Sequence, residues 1–411
     1  MGCCLSSVEE DAPRYADLED EIGAANRRCW IVNGGVELED ILESGAVGLV
    51  KVGYLIELSE SRGILQRRQL LPPQAFVSTT ELKAATNQYE LPIIVLSYPW
   101  LHPAHPDPKG ENLVRIGRAL KAHTRNGELK YGVFIDFISL FQHPDPANGL
   151  MRTEDESRLF TEGLSGLSAL YSHPWTTVFR LTTAPDGYPA GYDMPASCNV
   201  AEYHERGWCF TETCWASLTK DSANSLDLGL FTGTNMASLN ERLGMIDECR
   251  MGGRRPPLLP DQFEAEIATK RFTNGKDDRP LVTRLYREAF EAQFKMAPRI
   301  LNYHSVGWGD AEAAQIARLI SSGALHESSV EMISLGGNQI TDAGVAPLCE
   351  ALSQARWRKK FTLMLTNNRI SDEGGAAIAA VAKQANFNLR LDGWDVDCMK
   401  MEDQDGVSVV V

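Results

Sequence analysis

The sequence predicts an α/β protein: a parallel β-sheet covered by helices, preceded by a helical N-terminal extension and followed by a short repeat solenoid. Two observations carry this. Between about residues 91 and 235, short apolar runs of strand length alternate with amphipathic helical patterns. From Leu301 onward a similar stretch recurs, and repetition at fixed period is the mark of a stacked architecture. With 411 residues, 43% of them hydrophobic and 23% charged, the chain has room for two or three domains and a sizeable core.

The opening stretch, "MGCCLSSVEEDAPRY", carries the Met-Gly-x-x-x-Ser pattern of N-myristoylation on Gly2. One myristoyl chain holds a protein to a bilayer only marginally. The acidic residues that follow repel anionic lipid, which leaves Cys3 and Cys4 as palmitoylation sites for the second anchor. The expectation is an acylated, disordered tail over residues 1–15 at the cytoplasmic face of a membrane. The bulk reads as cytosolic: there is no secretory signal pattern, and the longest apolar runs, "LPIIVL" and "AAIAAVA", are too short to span. Nine cysteines without framework spacing fit free thiols in a reducing compartment. A net charge of −15 argues against a nucleic-acid partner. The short basic runs "NRRC", "GILQRRQ" and "WRKK" read as solvated faces.

Residues 16–85 read as the helical extension, with "GAVGLVKVGYLIEL" its most apolar part. "LPIIVLSY", "YGVFIDF" and "TTVFRLT" then read as strands, with "LDLGLF" as a fourth. Between them lie helical patterns: Leu113, Ile116 and Leu120; then Leu159, Gly163, Leu167 and Leu170; then "WCFTETCWASL". Such alternation implies a parallel sheet whose ligands bind beyond the carboxyl ends of the strands, which places Ser97, Tyr98 and Asp136 near any cleft. "RMGGRRPPLLPDQ" reads as a boundary closing a 16–255 domain. "EAEIATKRF" and "RPLVTRLYREAFEAQFK" form a helical bridge over 256–298.

The repeats occupy 299–411. "ISLGGNQITDAGVAPLCEAL" and "LMLTNNRISDEGGAAIAAVA" align Leu335 with Leu365, Asn338 with Asn368, Ile340 with Ile370 and Gly344 with Gly374. This L-x-x-N-x-I core is that of a leucine-rich repeat of the longer, helix-bearing ribonuclease-inhibitor type. Its leucines point inward and its asparagine bonds the backbone of the turn. "LNYHSVGWGDAEAAQIARLI" and "LRLDGWDV" are degenerate flanking copies, as terminal repeats should be. A protein partner is expected on these repeats.

Three segments of the α/β part carry a family likeness. "VLSYPW", "FIDFISLFQ" and "RGWCFTE" resemble, in order, the three motifs of heterokaryon-incompatibility (HET) domains, and through them a remote TIR domain. The likeness covers about residues 91–220 and implies a flavodoxin-like parallel sheet. Leu101, Ser139, Phe141 and Thr213 depart from the motifs. In TIR domains that cleave NAD the last motif's glutamate is catalytic, and its counterpart here is Glu212.

Cleavage of NAD expels a cationic nicotinamide as a neutral molecule, so one carboxylate that stabilises an oxocarbenium-like ribose is enough. Glu212 lies four residues after Trp208 and three before Trp215, on one helical face. It is either a pocket acid or a structural group, in a helix's first turn or paired with Arg206. Asp136 is either a ribose ligand or a turn cap. Tyr98, Trp100 and Trp208 either stack on a ring or fill the core. His102, His105, Cys209 and Cys214 lack zinc-site spacing, so no metal is expected. No cofactor is expected either, NAD being a substrate. Two function classes follow: a membrane-tethered enzyme cleaving NAD or a related nucleotide, and a non-catalytic adaptor that self-associates while its repeats bind protein.

Overall fold

In the computed structural model the described residues are 15–397, apart from 145–147, 196–197, 234–239, 273–277, 327, 356 and 358–359. Gly2, Cys3 and Cys4, and with them the tail expected to be acylated up to residue 14, lie outside the described residues.

The extension opens with helices α1 (Tyr15–Val32) and α2 (Glu39–Glu43). It is not purely helical. The apolar stretch expected to be a helix first supplies strand β1 (Val50–Lys51), then turns into α3 (Val52–Glu60). β1 pairs antiparallel with β3 (Gly132–Phe134) and so covers backbone groups that an open sheet edge would leave bare. Helix α4 (Thr79–Ala85) starts at a capping box in which Ser78 and Glu81 satisfy each other's backbone N–H. The run "GILQRRQ" is not a solvated face. The Arg68 guanidinium donates to the carbonyls of Gly45, Ala46 and Ser139 at 2.6–2.9 Å and lies 4.1 Å from the Phe141 ring centre. Its forked donors clamp the extension onto the turn that follows β3.

The main sheet has the order β1-β3-β2-β4-β5, with β2 (Ile93–Ser97), β4 (Thr177–Arg180) and β5 (Ser225–Asp227) parallel to β3. Every residue of β2 and β4 is buried, as strands covered on both faces must be. Alternate residues of β2 enter opposite cores. Ile94 and Leu96 pack with Ile116 of α5 (Glu111–His123) and, beyond it, Met245 of α9 (Glu241–Cys249). Ile93 and Val95 pack in the other core, with Leu167 of α7 (Glu154–Ser172) and Trp215 of α8 (Gly207–Trp215). The short helix α6 (Asp136–Ser139) follows β3 directly.

The Gly- and Pro-rich stretch read as a boundary is partly buried, at Gly252, Arg254 and Pro256 to Leu258. Arg254 is drawn in over the Tyr303 ring, and its carbonyl accepts from the Trp308 indole at 2.7 Å. Helices α10 (Pro260–Ile267) and α11 (Asp278–Lys295) follow, joined by a Phe263–Tyr286 stack with centroids 4.0 Å apart. Phe210 of α8 stacks on the same Phe263, so one hydrophobic core runs from Trp30 through the bridge into the C-terminal part. An array of so few repeats needs a neighbour to cover its first unit, and the bridge is that neighbour.

The C-terminal part is a four-stranded parallel sheet, β6 (Ile300–Asn302), β7 (Met332–Ser334), β8 (Thr362–Met364) and β9 (Asn388–Arg390). Helices α12 (Asp310–Ser321), α13 (Asp342–Gln354) and α14 (Asp372–Ala385) alternate with the strands. Leu301, Ile333, Leu363 and Leu389 stand in register and are fully buried. Asn338 donates to the carbonyls of Tyr303 and Leu335 at 2.9 Å and accepts from Val306 and Trp308 N–H at 3.1 Å. Asn368 donates to Leu335 and Leu365 and accepts from Ile340 N–H. A second ladder links the helix starts: Asp310 accepts from Thr341 N–H and hydroxyl, and Asp342 accepts from Ser371 in the same way. That ladder explains the aligned glycines. A Cβ at Gly344 or Gly374 would come within 2.6 or 2.2 Å of the preceding repeat's Asp310 or Asp342 oxygen.

Candidate functional site

A cavity of about 580 Å³ opens beyond the carboxyl ends of β2 and β3. The chain running on from β2 brings Tyr98 and Trp100 to it, and α6 brings Asp136. Helix α8 contributes Trp208 and Glu212, and α7 lines the apolar side with Leu164 and Leu167. Arg271, Phe272 and Asp278, from the bridge, complete the wall. Five residues singled out in the sequence therefore meet in one cavity: Tyr98, Trp100, Asp136, Trp208 and Glu212. Ser97 does not line it. Ser97 is buried behind the wall and donates its hydroxyl proton to Glu212 Oε2 at 2.5 Å.

Three local readings of Glu212 are corrected by the geometry. It is the sixth residue of α8, past the first turn, so the helix dipole does not account for it. Arg206 does not pair with it; that guanidinium donates to the carbonyls of Ala201 and Trp100 at 2.8 Å. Trp215, about 10 Å further along the helix axis than Trp208, has left the cavity for the core, where it stacks on Tyr171. Trp208 stays at the cavity, its indole donating to Asp278 at 3.1 Å.

Asp136 takes the turn-capping role and also lines the cavity. One carboxylate oxygen accepts from Phe137 N–H at 2.7 Å, capping the turn, and the other accepts from the Trp100 indole at 2.7 Å. Burial pushes Asp136 up to about 6, with both N–H donors pulling the other way. Burial also pushes Glu212 up to about 8, with the Asp136 charge adding to the rise and the Ser97 hydroxyl opposing it. Of the two, Glu212 is the one whose surroundings favour the proton and Asp136 the one that favours the charge.

Behind Glu212 runs a chain of hydroxyls. Tyr203 lies 2.6 Å from Ser97 and 3.1 Å from Thr213. Each hydroxyl in these pairs can donate or accept. Sequence reasoning missed Tyr203, Phe272 and Asp278, which no spacing pattern marks. His102 and His105 bond the carbonyls of Asp193 and Leu65, and among the described residues no group of three His, Cys, Asp or Glu side chains is placed to hold a metal.

The leucine-rich-repeat family model matches residues 328–349 and 362–379, the two units with the complete L-x-x-N-x-I core. These units are leucine-rich repeats, a class that commonly mediates protein interactions. No HET or TIR family model matches the N-terminal part. No curated protein and no solved structure matches the chain. Among the described residues no helix is long and apolar enough to cross a membrane.

Proposed function

We propose that this is a membrane-tethered signalling or stress-response protein whose α/β part hydrolyses the N-glycosidic bond of NAD or a related nucleotide, while its repeats, stacked as a short solenoid, bind a protein partner. The observation that carries this reading is the meeting of Asp136, Glu212 and the rings of Trp100 and Trp208, from three distant segments, in one cavity. The sheet lends support: counting only its parallel strands in chain order, the arrangement is 2-1-3-4, the order of a flavodoxin-like sheet without its last strand. In this reading the Asp136 charge stabilises the developing oxocarbenium sugar and the indoles pack against rings. Arg271, exposed at the rim, is the cation available to a phosphate. The test is release of free base from NAD and from nucleosides by full-length protein clustered on vesicles. No release at any surface density would leave the adaptor role, self-association with repeat-mediated binding, in its place.

Tethering is tested separately. Gly2→Ala, and the Cys3→Ser/Cys4→Ser double variant, should each move the protein from the membrane pellet to the supernatant. Unchanged pelleting of both variants would exclude the lipid anchor.

A further inference from the structure

The two carboxyl groups of the cavity are not equivalent, and the asymmetry bears on the leaving group. Both Asp136 oxygens accept N–H donors, from Trp100 and Phe137, which is the environment of a carboxylate. Glu212 accepts from the Ser97 hydroxyl on Oε2; the Tyr171 hydroxyl also lies beside it, but donates its proton to the Leu96 carbonyl at 2.7 Å. No cation pairs with either group among the described residues, and the nearest candidate in sequence, Arg206, is committed to carbonyls. Two carboxyls lining one cavity without a counter-charge resist ionising together, and the one with fewer donors keeps the proton.

A proton so placed is wasted on NAD, whose nicotinamide departs neutral without one. It is needed when the leaving base is uncharged in the substrate and would otherwise depart as an anion. We propose that the cavity takes N-glycosides with an uncharged leaving base, purine or pyrimidine nucleosides or their phosphates, and that Glu212 is the catalytic proton donor to the departing nitrogen. This rests on the hydrolase reading above. In the step, the C1′–N bond breaks and its electron pair stays on the base nitrogen, which takes the Glu212 proton. Asp136 stabilises the cationic sugar. Water then bonds C1′ through its oxygen and returns a proton to the Glu212 carboxylate. The products are the free sugar, or its phosphate, and the neutral base, with no change of oxidation state.

The experiment uses full-length protein clustered on vesicles and three kinds of substrate. NAD and nicotinamide mononucleotide carry cationic leaving groups. Adenosine, inosine, uridine and their monophosphates carry uncharged ones. p-Nitrophenyl riboside has a leaving group that departs without protonation. At least one nucleoside or monophosphate should be cleaved with kcat/KM at least about 10-fold above NAD. Glu212→Gln should lower nucleoside cleavage at least about 10²-fold but p-nitrophenyl riboside cleavage less than about 10-fold. The retained riboside activity also shows that the variant is folded. Cleavage confined to the nicotinamide substrates, or an equal loss on nucleoside and p-nitrophenyl riboside, overturns the inference and leaves the hydrolase reading standing. No cleavage of any substrate overturns both.

Discussion

Replacing Glu212 by Gln should abolish nucleoside cleavage and, at the same time, make the protein more stable above neutral pH. The loss of rate, at least about 10²-fold, is the removal of a proton donor whose shape is kept. The gain in stability follows from linkage. The Glu212 carboxyl has its proton held to about 8 in the folded chain against an ordinary value of 4.5, because burial and the Asp136 charge disfavour the anion. Between those values unfolding releases a proton, so this group's favourable contribution is complete below about pH 4.5 and is lost as pH rises through about 8. Gln does not titrate and is free of that loss. At pH 8.5 the variant should therefore gain at least about 1 kcal/mol over the parent relative to their difference at pH 5. Calorimetric melts at the two pH values decide it: parallel shifts for parent and variant would mean that Glu212 is not held neutral. Activity should in turn be bell-shaped, falling above about pH 8 as Glu212 loses its proton and below about pH 6 as Asp136 gains one.

Asn338→Ala should be the most damaging single change in the repeats, costing about 3 kcal/mol or more. Its amide satisfies the N–H groups of Val306 and Trp308 and the carbonyls of Tyr303, Leu335 and Gly336, all in a buried turn. Alanine removes this partner from the N–H groups of Val306 and Trp308 and from the Tyr303 carbonyl, too deep for water to replace it in full, while Leu335 and Gly336 keep bonds from Asn368 and Ser305. The damage reaches the junction with the α/β part. Tyr303 and Trp308, at the ends of that turn, donate to the carbonyls of Leu218 and Arg254 at 2.7 Å. Asn368→Ala should cost roughly half as much by the same reasoning. That residue is half-buried and only one backbone N–H, that of Ile340, depends on it. Urea titrations of the two variants should show this order. A cost at Asn368 equal to or above that at Asn338 would refute the account of why the first is buried.

The repeats were legible because their chemistry is nearly local. An asparagine three residues after a leucine bonds that leucine's carbonyl in both units, and the period brings the next unit into register. The strands were legible because a chain covered on both faces has to be apolar throughout, as "LPIIVL" is. Arg68 was misread for the opposite reason. Its partners are the carbonyls of Gly45, Ala46 and Ser139, and nothing near it in the chain announces three orphaned acceptors converging there. The stretch at 250–262 shows a related limit: Gly and Pro break helices and strands, but whether the broken segment is exposed depends on what packs over it.

By itself the sequence determined the alternation of strand and helix, the repeat, and which acids and rings stand just beyond strands β2 and β3 or on α8, since each of these depends on periodicity within a few turns of chain. Only the tertiary structure decided what those acids are. Burial and the Asp136 charge favour the proton on Glu212 against the pull of Ser97, 115 positions away, and Arg206, turned toward carbonyls, supplies no counter-charge. Protonation is set by burial and by partners, and both are properties of the packed chain rather than of any stretch of it.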